Sequence, residues 1–150
     1  MHTMRPKGLD FAVPENCVCL NLRRITRAVT RFFDAEIRRY GVRPTQESIL
    51  AALIAQQGWT MAELSDWLGM ERTTLVRNLR PLQRDGLVEV GGGGRGRLVA
   101  LAITAKGRKQ MEILTPAWRA AQNAVVKTLG EKRWSAVLSD LETAALALNK

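Results

Sequence analysis

Residues 60–104 read TMAELSDWLGMERTTLVRNLRPLQRDGLVEVGGGGRGRLVALAIT. Thr60 can accept a bond from the free amides of a following helix, and Glu63 stands where its carboxylate reaches back to the Thr60 amide, the reciprocal pattern that opens a helix. Behind it Leu64, Trp67 and Leu68 fall on one predicted buried face, and Gly69 supplies the left-handed residue that ends the segment. After a short turn the pattern predicts a second helix from Arg72 to Arg84, closed by Gly86.

Leu75, Leu79 and Leu82 line one side of that second helix. At about 100° per residue the other side collects Thr73, Arg77, Arg80 and Arg84, flanked by Arg72, Thr74 and Asn78. Leu87 to Val90 and Leu98 to Ile103 are β-rich runs separated by a glycine tip that carries Arg95 and Arg97, so they predict a hairpin. A helix, a tight turn, a basic helix and a hairpin in that order make a winged helix-turn-helix, which presents its second helix to a DNA major groove. Arginine pairs with guanine and asparagine with adenine through two bonds each, so Thr73, Thr74, Arg77 and Asn78 are the expected base readers. A cationic tip suits a narrow minor groove. No Gly-Lys-Ser/Thr follows the glycines, and they enter a strand, so a nucleotide cradle is not indicated.

The segment TMAELSDWLGMERTTLVRNLRPLQRDGLVEV, the glycine-rich wing and RLVALAITAKG resemble the MarR family of bacterial transcription regulators, and the likeness spans nearly the whole chain. In that family an arginine, a threonine and a glycine recur around the return strand of the wing, and Arg97, Thr104 and Gly107 occupy those positions. The family usually carries an acidic residue two places before the wing arginine, where this chain has Arg95. Pro81 within the basic helix removes the bond to the Arg77 carbonyl, which predicts a kink or a short helix.

Bulk composition agrees. With 150 residues, 46% of them hydrophobic and 25% charged, the chain can bury a core as a single MarR-like domain over 1–150. A net charge of +9 implies an anionic partner, double-stranded DNA. No apolar run reaches the roughly 20 residues of a membrane span and Met1 to Pro14 lacks an export-type apolar stretch, so the expected location is cytoplasmic, with no membrane partner.

The expected fold is mainly α with a small β-hairpin wing. Dimerisation helices at 15–40 and 105–150 flank a DNA-binding lobe at 45–104. Arg43-Pro44 stops the first helix, a second begins near Thr45, Thr104 caps a helix bent or interrupted at Pro116, and a last helix carries Trp134, Val137, Leu138, Leu141, Leu146 and Leu148. The terminal helices hold more apolar surface than one small module covers, so a homodimer on a palindrome is expected, its half-sites roughly 34 Å apart.

Cys17 and Cys19 are the only cysteines and His2 the only histidine, so neither a metal site, a cofactor nor a histidine-centred enzyme is expected. The run CVCLNLRRITRAVTRFF also resembles the peroxide-sensing branch of the MarR family, which holds its thiolate with tyrosines; here the residue after CLNL is Arg23, and Tyr40 is the only tyrosine. Buried, inert thiols are the first expectation, with redox control through Cys17 or Cys19 as the alternative. Arg23, Arg27 and Arg31 form a stripe. It is read as a solvated or phosphate-facing side, or as a pocket wall in which Arg23, Arg27, Trp59 and Trp118 meet an anionic or aromatic effector, as the family resemblance implies. A sequence-indifferent architectural DNA-binding protein is the remaining alternative.

Overall fold

The computed structural model describes residues 13–91 and 100–148. Pro14–Asn16 makes one 3-10 turn before α1 (Val18–Ile37). The helix expected over 15–40 is therefore shorter at both ends. Cys17 has extended backbone, at φ −67° and ψ 113°, and Asn21 Nδ2 fastens the preceding turn by donating to the carbonyls of Glu15 and Cys17 at 2.7 and 2.9 Å. At the other end Arg38–Tyr40 tightens into a second 3-10 turn, closed by Gly41 at φ +75°.

Arg43 is extended, as its following proline demands, and α2 (Pro44–Ala55) starts on the proline ring, where a missing amide costs nothing. Trp59–Thr60 forms a short strand β1, which the sequence pattern did not show, and Thr60 then caps α3 (Met61–Leu68). The capping box forms as read: Glu63 N donates to Thr60 Oγ1 at 3.2 Å and Thr60 N to Glu63 Oε2 at 2.9 Å. Gly69 ends α3 at φ +60°. Leu64 is buried, but Trp67 is 62% exposed, a correction to its place on the inner face. Trp59, arriving on β1, occupies the interior instead, with the Trp67 ring tilted against it at 5.9 Å.

The basic helix α4 (Arg72–Arg84) has the predicted bounds and runs through Pro81 without being shortened. Its Leu75, Leu79 and Leu82 are buried. Strands β2 (Val88–Gly91) and β3 (Ala100–Ile103) follow, in an antiparallel sheet of order β1-β3-β2 that sets Val88 opposite Ile103 and Trp59 opposite Leu101. The wing tip, with Arg95 and Arg97, lies outside the described residues. Thr104 caps α5 (Ala105–Leu129), accepting from Gly107 N at 3.0 Å, and α5 continues through Pro116 uninterrupted. Last comes α6 (Glu131–Leu148).

The core gathers Ile37, Ile49, Leu50, Leu53, Leu64, Leu75, Leu79, Leu101 and Leu114, so it lies beneath the helix-turn-helix and the sheet. No residue of α6 is buried, and in α1 only Phe33 and Ile37 are. The lobe that carries α4 is thus complete in one chain, while the terminal helices leave their apolar sides open. Among the described residues no helix is long and apolar enough to cross a membrane.

Candidate nucleic-acid interface

Burial of three leucines on one side of α4 fixes its rotation, because turning the helix would move about 1.5–3 kcal/mol of apolar burial per leucine into water. With that rotation Arg72, Thr73, Thr74, Arg77, Arg80 and Arg84 are all exposed. Arg72, Thr73, Val76, Arg77 and Arg80 line a shallow concavity of about 440 Å³ on this outer side. Glu71 makes no side-chain capping bond, and the first amides of α4 add partial positive charge beside Arg72 and Thr73.

Two residues expected to face DNA are already engaged. Arg84 Nε lies 2.9 Å from Asp85 Oδ1 and its Nη2 3.3 Å from Oδ2, so the fork is spent on a neighbouring carboxylate. That hydrogen bonding holds the Asp85 carboxyl below its usual range. Asn78 is half-buried; its Nδ2 donates to Thr74 O at 2.9 Å and its Oδ1 accepts from Thr45 Oγ1 at 3.0 Å. The contact with Thr45 joins residues far apart in the chain, and no local pattern announced it.

The four pocket candidates do not converge. Trp59 is a core post whose indole donates to Ala52 O at 3.0 Å. Trp118 is half-buried, its ring 6.2 Å from Phe33. Arg23 and Arg27 are exposed, each about 200° around α1 from Ile25. An apolar cavity of about 300 Å³ opens instead between α1, α5 and α6, lined among others by Ile25, Val29, Phe33, Val125, Trp134 and Leu138; none of the four candidates lines it. Cys17 is half-buried at the cap of α1 and Cys19 is exposed, both as free thiols, so neither is fully buried and the two do not share a regular helix. Among the described residues no three metal-ligating side chains gather.

No family model matches the chain, and no curated protein is similar to it. Solved structures are. The M. tuberculosis transcriptional regulator MosR is 36% identical, over 87% of this chain and 96% of that one, with a TM-score of 0.76. A MarR-family transcriptional regulator from Silicibacter pomeroyi is 25% identical, over 89% of this chain and 91% of that one, with a TM-score of 0.71. The chain belongs to the MarR family of transcription regulators. Within the MarR family the likeness extends to MosR solved in complex with DNA, at 36% identity over 87% of this chain and 97% of that one, with a TM-score of 0.75. These MarR-type relatives are transcription regulators rather than enzymes.

Proposed function

We propose that this MarR-family protein is a sequence-specific DNA-binding transcription regulator, acting in the cytoplasm as a homodimeric repressor of a palindromic operator. The observation that carries the reading is the outer side of α4, where Arg72, Thr73, Thr74, Arg77 and Arg80 stand exposed over a fixed leucine underside. Arg77 and the threonines read base edges, and Arg80 with the wing arginines Arg95 and Arg97 neutralises phosphates. One domain serves both tasks: residues 45–104 meet DNA, and 15–40 and 105–150 pair the subunits.

Support for pairing comes from two open stripes with the alternating spacing of a coiled-coil seam. On α1 they are Val18, Leu22, Ile25, Val29 and Phe32; on α6, Trp134, Leu138, Leu141, Ala145 and Leu148. Both border the cavity, and a second copy with the same stripes is the complementary occupant. Relief by a small molecule belongs to the same reading, and Phe33 and Trp134 in the cavity favour an aromatic over an anionic contact.

The test is selection of bound fragments from a randomised duplex pool, with and without reductant. A palindromic motif with half-sites roughly 34 Å apart, preferred about a thousandfold over random duplex, is the expected result. Equal affinity for all duplexes would leave an architectural binder. A second reading, thiol control, rests on Cys17 standing half-buried at the cap of α1 and Cys19 exposed two residues on, both as free thiols. It requires that the selected duplex be released on oxidation and recaptured on reduction.

A further inference from the structure

The exit of α4 is held by the entrance of α5. Gly86, at φ +71°, turns the chain out of α4, while Gly86 N and Leu87 N reach back to Gln83 O and Leu82 O at 3.0 and 2.8 Å. The carbonyls of the three residues after α4 all accept from α5 or its cap. Lys106 Nζ donates to Asp85 O at 2.8 Å, Thr104 Oγ1 to Gly86 O at 2.7 Å, and Thr104 N to Leu87 O at 3.1 Å. The Thr104 hydroxyl that donates to α4's exit also accepts from Gly107 N, so one oxygen serves both helices. Gly107 permits the approach: a Cβ there would lie 2.2 Å from Leu87 O and 2.7 Å from Ile103 Cγ1. Leu87 precedes β2 and Ile103 ends β3, so the root of the wing is fixed at the same point.

We infer that Thr104 and Gly107 are positioning residues for DNA recognition, forming the joint through which α5 sets the angle of α4 and of the wing. The inference rests on α4 being the reading helix. α5 has 25 residues, roughly 37 Å of continuous helix, and its far half lines the cavity beside α1 and α6. The helix is continuous from the cavity to this end, and three bonds and a glycine contact tie the end to the exit of α4, so a tilt imposed at the cavity is passed toward α4. Thr104 is a neutral side chain spent on capping and on the Gly86 carbonyl, so its loss should alter geometry without removing a phosphate contact.

The experiment compares full-length wild type with Thr104→Val, Thr104→Ser, Gly107→Ala and Lys106→Met. Binding to the selected operator duplex and to a random duplex of equal length is measured across a salt series, with thermal unfolding alongside. Thr104→Val is expected to lose about tenfold in operator affinity at temperatures where it is folded, with random-duplex affinity and salt slope unchanged, and Thr104→Ser to restore it. Gly107→Ala should behave like Thr104→Val. If neither folds, Lys106→Met decides, with a loss of about threefold at unchanged slope. A cap serving stability alone would lower the melting temperature and leave the operator affinity of the folded protein at the wild-type value, which overturns the joint. A wild type that binds both duplexes alike removes the reading on which the joint rests; a discriminating wild type matched by its variants removes the joint alone.

Discussion

Thr45 Oγ1 donates to Asn78 Oδ1 at 3.0 Å, tying the first turn of α2 to the outward side of α4. Two-bond reading of adenine needs the oxygen and the nitrogen of an asparagine amide turned together toward the base. Here Thr45 takes the oxygen, and the nitrogen donates to Thr74 O at 2.9 Å. Asn78 braces α4 in this structure.

Removal of either partner should therefore cost stability in a coupled way. Thr45→Val and Asn78→Ala are each expected to lower the unfolding free energy by about 0.5–1.5 kcal/mol, and the double variant to lose less than their sum by at least about 0.5 kcal/mol. Urea titration of the four proteins measures the cycle. Strict additivity would mean that the bond is not made in solution.

Arg77 and Arg95 should separate reading from holding. Arg77 stands exposed in the lining of the concavity on α4, whereas Arg95 belongs to the glycine tip. Arg77→Ala is expected to relax preference at one base pair, by roughly 1–3 kcal/mol, in a selection with the variant protein. Arg95→Ala should weaken all duplexes together and lower the slope of log affinity against log salt by about 0.9. Arg84→Ala, with its fork already on Asp85, should change operator affinity less than Arg77→Ala does. Equal effects of Arg77→Ala and Arg95→Ala on every duplex would overturn the division.

The features legible in the sequence are those settled within a few residues. Thr60 and Glu63 close on each other across one turn, Gly69 ends the same helix, and the leucine spacing of α4 fixes which side faces out. What escaped depends on partners far along the chain. The two residues of β1 are a strand only because β3 pairs with them, and it is Trp59 on that strand that enters the core, with Trp67 packed outside against its ring. The inner face of α3 was readable from its period, but its edge was not. Likewise the exposed side of α4 could be drawn from helical geometry, while the engagement of Asn78 needed α2 brought alongside. Arg84 is the exception: Asp85 stands next to it in sequence.

Glu47, half-buried on α2, has its carboxyl pushed up to about 7 from an ordinary 4.5 by loss of hydration. Between those two values the folded protein keeps a proton that the unfolded chain has released. Stability is then highest below pH 4.5 as far as this group is concerned, and declines as pH rises through 7. Glu47→Gln, which keeps the shape of the neutral acid, should flatten this part of the profile and leave the variant more stable at pH 8 by roughly 1–3 kcal/mol, allowing for partial solvent screening. Urea melts at pH 5 and pH 8 compare the two proteins. Equal pH dependence in both would show that Glu47 is hydrated and ionised in the fold.

Leu138 is 56% exposed, Leu141 41% and Ile25 47%, and they face one cavity from two helices. No residue of α6 is buried, so α6 packs too sparsely on its own chain to account for its apolar stripe. Light scattering is therefore expected to give about twice 16.7 kDa for the wild type. Leu138→Asp places a charge in the seam without touching the core around α4, so the variant should stay folded as a monomer. Losing the second half-site contact should then weaken operator binding by about a hundredfold or more, while affinity for a single half-site stays near the wild-type value. A folded Leu138→Asp protein that still scatters as a dimer would show that the seam is not where the two copies meet.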